Sequence, residues 1–392
     1  MTVNRKHYNK IRKRFKVIQN RRHFVIAVCL FLLVAGLGLQ FLIVSKAATF
    51  AVASEAESGA LTGNASRYDD TNASNLNAVR FGASTATRST NCTPATSATM
   101  TNTVSHLCGF PDTTNSGATG SLTNVPNTIT SPNANTGSGW TYNSSQQSII
   151  ADTDGAVIKN ITSTVAEIVI QANNVTVDNV NIKVNDKDGF GVWIRGPNNT
   201  GAQNITIENS TISGGNNTSG RLTAGIKDIY ESSTNTKILN NNIIFTSTGV
   251  QMDAGLIQGN YIHDMGFISG DHINGTTSNA SDGTLLTIKN NTILNSFSQT
   301  DAISLFEDFG VQKNRVITGN LVAGGGYCMY GGQNAGGQAA SNIQITNNHF
   351  SRMYFQNCGG QGSGIVAAWP LNGSGGVWSG NVWDDTGAAV NP

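Results

Sequence analysis

One pattern recurs often enough to dictate the fold: an apolar residue, any residue, Asn or Gly, usually a second Asn, any residue, then a second apolar residue. It is read at Val177-Asp178-Asn179 to Ile182, Ile207-Glu208-Asn209 to Ile212, and Ile257-Gln258-Gly259-Asn260 to Ile262. It continues at Ile288-Lys289-Asn290-Asn291 to Ile293, Ile317-Thr318-Gly319-Asn320 to Val322, Ile345-Thr346-Asn347-Asn348 to Phe350, and Trp378-Ser379-Gly380-Asn381 to Trp383. Looser copies begin at Ile158 and Leu239. Successive starts are separated by 19, 30, 32, 18, 31, 29, 28 and 33 residues. Repetition at that period outranks local propensity and specifies a solenoid, here of about nine coils. Stacked at ~4.8 Å, each strand pairs in parallel with its successor and the apolar positions share one interior. The recurrent Asn or Gly supplies a left-handed bend between strands, and stacked Asn side chains can bond along the axis.

Composition excludes the competitors. Charged residues make up only 12% of the chain, and 47 Asn with 44 Gly disfavour long helices. A helical repeat would need uninterrupted 3.6-period stretches rich in Ala, Leu, Glu and Lys, and a β-sandwich would need turn signals every 8–12 residues. Neither is present. The 38% hydrophobic content, with only 7 Pro, is too high for wholesale disorder.

The net charge of +1 conceals an asymmetry. Residues 1–46 hold ten Lys or Arg and no acid, whereas the remainder carries 14 basic and 23 acidic residues. Nine of the ten cations precede an uncharged apolar run at 24–44, long enough to cross the ~30 Å hydrocarbon core of a bilayer. The positive-inside rule then leaves a cytoplasmic tail at 1–23 and exports everything after the span. Ser45-Lys46-Ala47 also offers a cleavage site, so export as a secreted protein is the alternative to a retained anchor. No aromatic residues are interleaved with the cations, so nucleic acid is not an expected partner. Residues 45–91 read as a polar stalk. Within it, Thr49 to Ala83 resembles β-sandwich carbohydrate-binding modules over 35 residues, too few to close such a sandwich. Residues 92–147 form a cap segment, and 148–392 the repeats. In an oxidising compartment Cys92, Cys108, Cys328 and Cys358 permit two disulfides, with nearest-neighbour pairing expected. Cys29 lies within the apolar run.

The segment from Cys108 to Trp383 resembles exported bacterial right-handed parallel β-helix proteins of the pectate-lyase-like superfamily. The resemblance rests on CGFPDTTNSG (108–117), GDHING (270–275), TDAISLFEDFGVQKNRVITGNLVAGGGYCMYGG (300–332) and NVWDD (381–385). It implies an all-β, right-handed parallel β-helix and an extracellular glycan as partner. Where such proteins commonly carry His-x-Asp-Gly, this chain has His272-Ile273-Asn274-Gly275, an amide in place of the carboxylate.

A candidate site follows from registering a second strand of each coil on Ile226, Val250, Ile273, Ile303, Cys328 and Ile365 as inward residues. Because side chains alternate, their neighbours face solvent. One outward column then holds Gly225, Gly249, His272, Ala302 and Tyr327, and the next holds Lys227, Gln251, Asn274, Ser304 and Met329. Asp253, Thr276 and Phe306 come two residues further, with Asp308 and Glu231 at the rim. Gly225, Gly249 and Ala302 would leave a trough beside His272 that suits a polysaccharide. In this reading His272, Asp253 and Lys227 are catalytic, Gln251, Asn274 and Ser304 bind substrate, and Tyr327 and Trp193 stack on sugar faces. Hydrolysis would need two carboxyls, Asp253 with Asp308 or Asp228. β-Elimination would need a base, His272 or Lys227, and a cation such as calcium held by Asp253. The expectation is a monomeric polysaccharide lyase or glycoside hydrolase at the cell surface; the alternative is a non-catalytic glycan-binding or adhesin-type protein. Asp152-Thr153-Asp154-Gly155 and Asn185-Asp186-Lys187-Asp188-Gly189 lack the twelfth-position acid of an EF-hand and read as turns. The late tryptophans, with Val366 to Trp369, read as a plug on the last coil.

Overall fold

The computed structural model describes residues 65–69, 77–81, 109–126, 136–184, 188–228, 232–279, 283–334, 337–361 and 365–392. The expected span at 24–44, Cys92, Cys108 and Glu231 lie outside them. Among the described residues no helix is long and apolar enough to cross a membrane. The chain divides after Ser84. The first unit contains an antiparallel pair, Ala65–Asp69 with Asn77–Phe81.

The second unit is a parallel β-helix of three sheets. Each coil runs through sheet 3, turns a sharp corner into sheet 2, and crosses by loops through sheet 1 to the next coil. Coil 2, for example, is Thr176–Asp178, Asn181–Val184 and Phe190–Ile194. Sheet 3 has nine strands in strict coil order, so the expected count of nine holds. Its central ladder is Ile158, Val177, Ile207, Ile238, Ile257, Ile288, Ile317, Ile345 and Trp378. The fourth copy is therefore in register at Ile238, one residue before the expected Leu239, because its motif has the full Ile-x-Asn-Asn form.

The two motif positions do different work. The first, Asn or Gly, is left-handed: Asn179 has φ 53°, Asn209 49° and Gly259 71°. Glycine here also makes room, since a Cβ on Gly259 would lie 2.2 Å from Asn240 Oδ1 of the preceding coil. The second, Asn, builds a buried ladder. Asn241, Asn260, Asn291, Asn320 and Asn348 each donate Nδ2–H to the Oδ1 of the next rung at 2.9–3.0 Å, ending at Asn381. Each Nδ2 also donates to an isoleucine carbonyl of sheet 3, as Asn291 does to Ile257 O at 3.0 Å. The corner carries polar groups through the core without stranding them.

Both ends are closed. At the first coil, sheet 1 gains the antiparallel strands Thr136–Gly137 and Trp140–Asn143 against Ser148–Ala151, ahead of the point where the repeats become legible. At the last coil Trp378 lies 5.7 Å from Phe350 and 5.9 Å from Trp369, and its indole N–H donates to Val390 O at 2.7 Å. This is the expected plug. Residues 109–124 form a strap that runs along sheet 2 against the coil order. Phe110 meets His349 of coil 8 edge-on at 5.0 Å, Gly117 N–H donates to Asn240 O, Ala118 N–H to Thr211 Oγ1, and Thr119 N–H to Asn179 Oδ1. At its end Thr123–Asn124 joins sheet 2 beside Ile161 of coil 1. The expected bridge Cys328–Cys358 is present, with Cα atoms 5.6 Å apart.

Candidate functional site

Sheet 1 carries the candidate site, and its register corrects the expected columns. The inward ladder runs Val192, Ile226, Val250, Thr276, Ile303, Met329 and Val366. Ile273 is buried but sits ahead of its strand, where its carbonyl takes the Asp301 N–H and the Asn295 amide. Hydrophobicity identified it as interior without fixing its place along the strand, while the inward Thr276 looked polar. Cys328 and Ile365 are each one residue early for the same reason. Gly225 and Gly249 do not border a trough. A Cβ on either would meet Ile243 Cγ2 or Ile262 Cγ2 at 2.6 Å, so both face the interior and allow sheet 1 to close on sheet 2. Ala302 is likewise buried.

In the corrected register one outward column is Trp193, Lys227, Gln251, Thr277, Ser304 and Tyr330. A second is Ala224, Thr248, Asn274 and Asp301. Between coils 4 and 6 they open into a cleft of ≈ 390 Å³, lined by Thr248, Gln251, His272, Asn274, Thr277, Asn279, Phe306 and Asp308. The expected Gln251, Asn274 and His272 are thus brought together, with Asp308 at the same cleft. Trp193 lies two coils before it, 4.7 Å from Phe190 and under Arg195 at 5.5 Å. Ser304 is buried and donates to Thr276 O at 3.2 Å, which removes it from direct contact with a ligand. Tyr327 stands outside the column and packs edge-on against Tyr330 at 5.5 Å. Tyr330 holds the place beside Ser304 expected for Met329.

His272 is exposed, 3.4 Å from Thr300 Oγ1. Its position is set by Asp271, which takes a two-pronged bond from Arg221, at 2.7 Å from Nε and 2.5 Å from Nη2, with Ser247 Oγ at 2.7 Å. Burial works against the Asp271 charge, but these donors and the Ile268 N–H hold its carboxyl below the usual range.

Asp253 does not share the cleft. It is fully buried, and its Oδ1 accepts Ser278 Oγ at 2.7 Å and Asn279 N–H at 2.8 Å. Ser278 continues through Gln312 to the buried Arg315, whose Nε donates to Gln312 Oε1 at 2.6 Å. A carboxylate tied into an interior network cannot reach a sugar, so Asp253 is a structural group. Asp228 is also buried. Desolvation raises its pKa to about 6, opposed by the Ser233 N–H and hydroxyl and reinforced by the Asp253 charge. The expected hydrolytic pairs therefore reduce to one accessible carboxylate, Asp308. Lys227 neighbours Asp228 and pairs in register with Gln251. Among the described residues no group of three or more His, Cys, Asp or Glu is placed to hold a metal ion.

The residue that sequence reasoning missed is Asp301. It continues the Thr248–Asn274 column but is completely buried, and neither carboxylate oxygen has a hydrogen bond of good geometry among the described residues. Burial pushes its carboxyl well above the usual range, offset only in part by the adjacent Ser304 hydroxyl. The consequence for stability has a definite sign. An acid with a raised folded-state pKa favours the fold most below its unfolded value near 4, and that contribution is lost as pH rises toward the folded value. Asp301→Asn, which mimics the protonated acid, should therefore match wild type near pH 4. It should become more stable than wild type by about 1.4 kcal/mol per pH unit above that, until the folded value is reached. Thermal melts of both proteins across pH 4–8 test this; parallel curves would refute it.

Comparisons with protein-family models, curated proteins and solved structures return no match. The chemistry of the cleft therefore has to be read from its own residues. Five of its eight lining residues carry a neutral amide or hydroxyl, one is aromatic, and His272 and Asp308 are the titratable pair.

Proposed function

We propose that this is an exported, glycan-binding parallel β-helix protein of the pectate-lyase-like kind, using the outward face of sheet 1. The observation that carries the reading is the cleft at coils 4–6. Its amides and hydroxyls offer both donors and acceptors, and Phe306 gives one apolar wall, the combination that matches the hydroxyls and the apolar face of a pyranose. The Cys328–Cys358 bridge supports an oxidising destination. The apolar run at 24–44 supports either a retained anchor or a cleaved signal. A second reading, cleavage of the bound glycan, is favoured by His272 and Asp308 at one cleft. There His272 would move the proton and Asp308 would be the accompanying carboxylate.

A glycan array probed with the exported part of the chain, together with assays for new reducing ends and unsaturated products, tests both readings. Retention of a glycan that Gln251→Ala weakens by about fivefold, the loss of roughly one neutral hydrogen bond, supports binding. Product release abolished by His272→Ala at unchanged thermal stability supports cleavage. A wild-type protein that retains no glycan and releases no product rules out the proposal.

A further inference from the structure

The same face carries a second cleft, of ≈ 430 Å³, where coils 6, 7 and 8 meet. Its lining includes Phe306, Glu307, Tyr330, Asn334 and Trp369. Phe306 and Tyr330 stand 5.0 Å apart at 57°, so their rings form two walls and not a closed stack. Trp369 is held from the core side by Trp378 at 5.9 Å. Glu307 Oε2 accepts the Asn334 N–H at 3.2 Å, while Oε1 is buried and has no hydrogen-bond partner among the described residues. The lining contains no Lys, Arg or His.

Phe306 lines both clefts, so the two adjoin across one side chain. Their centres are about two coils apart, ~10 Å at the spacing of parallel strands. We infer that they are subsites of one extended site for a neutral, unbranched oligosaccharide, an inference that rests on the glycan-binding reading. The aromatic subsite takes the apolar face of one pyranose against Tyr330 and Trp369, and Glu307 accepts one of its hydroxyls through Oε2, the oxygen that also bonds Asn334. The amide-lined cleft holds a pyranose further along the chain. A uronic acid polymer is disfavoured, because its carboxylates would face Glu307 with no cation in the lining to offset the repulsion.

The test is calorimetric titration of the full chain with neutral gluco-, manno-, xylo- and galacto-hexaoses, the corresponding disaccharides, and hexagalacturonate. At least one neutral hexaose should bind about tenfold or more tightly than its disaccharide, and hexagalacturonate should not bind. Glu307→Gln should weaken the hexaose by roughly ten- to hundredfold, the loss of a charge-assisted hydrogen bond. Tyr330→Leu should weaken it by roughly two- to tenfold, and provides an independent readout if the first variant is poorly folded. Hexaose binding that Gln251→Ala weakens but Glu307→Gln and Tyr330→Leu leave unchanged would overturn the two-subsite inference and keep the glycan reading. Preference for hexagalacturonate would do the same. Binding of no oligosaccharide would overturn both.

Discussion

Asn291→Ala should destabilise the solenoid by about 3–6 kcal/mol, more than any single exposed substitution. Asn291 is a fully buried inner rung of the corner ladder. Its Oδ1 accepts both Asn260 N–H and Asn260 Nδ2–H at 2.9 Å, and its Nδ2 donates to Ile257 O and Asn320 Oδ1. Alanine removes all four bonds, leaves the Asn260 N–H buried without a partner at about 1–3 kcal/mol, and adds a small cavity. The protein contains its own control. At coil 3 the rung is Ser210, whose Oγ accepts Val180 N–H at 3.1 Å. Asn291→Ser should therefore recover the acceptor for Asn260 N–H and cost less than the alanine variant. Because each coil touches mainly its neighbours, a broken inner rung should also separate the unfolding of coils 1–5 from that of coils 6–9. Urea unfolding followed by tryptophan fluorescence checks both points, since Trp140 and Trp193 report the first half and Trp369, Trp378 and Trp383 the second. A serine variant as unstable as the alanine variant would refute the account of the ladder.

Loss of the Cys328–Cys358 bridge should cost about 3–4 kcal/mol, from the entropy regained by a loop of some thirty residues in the unfolded chain. For a domain of this size that corresponds to a fall in Tm of roughly 5–10 °C. The bridge acts at a crowded place. Cys358 O accepts Gly324 N–H at 3.0 Å, Gly360 and Gln361 N–H donate to Gly325 O and Gly326 O, and a Cβ on Gly325 would lie 2.5 Å from Asp301 Cα. The turn that the bridge secures is thus part of what covers Asp301. Wild type under reductant and the Cys328→Ser/Cys358→Ser protein should melt alike, both below the oxidised protein. Equal Tm with and without the bridge would show that hydrogen bonding alone holds the loop.

Sheet 3 and its corner were legible because their requirements leave chemical signatures: an isoleucine that must face inward, a left-handed residue that must be Asn or Gly, and an amide that must bond in two directions. Sheet 1 was less legible because its interior is not uniformly apolar. Gly225, Gly249 and Thr276 face inward there, and a reading keyed to aliphatic residues slipped to Ile273. That slip hid Asp301, which falls two residues before the inward Ile303 as Asn274 does before Thr276. The one-residue slip at Cys328 likewise put Met329 in the place of Tyr330. The burial of Asp253 was not readable at all, since it depends on partners 25 to 26 residues away, Ser278 and Asn279. The strap left no periodic trace, because each of its residues meets a different coil.

That strap has a consequence for how the protein is made. Residues 109–124 are synthesised before any coil, yet the seat for Phe110 belongs to coil 8. A nascent chain emerging N-terminus first can dock residues 117–124 on coils 1 to 4 as these form, but the Phe110 end must wait until coil 8 exists. A contact spanning more than two hundred residues in sequence forms later than neighbour-by-neighbour stacking. Completion of coil 8 is thus the event that seats the leading end of the strap, so the part of the domain made first is the last to be fixed.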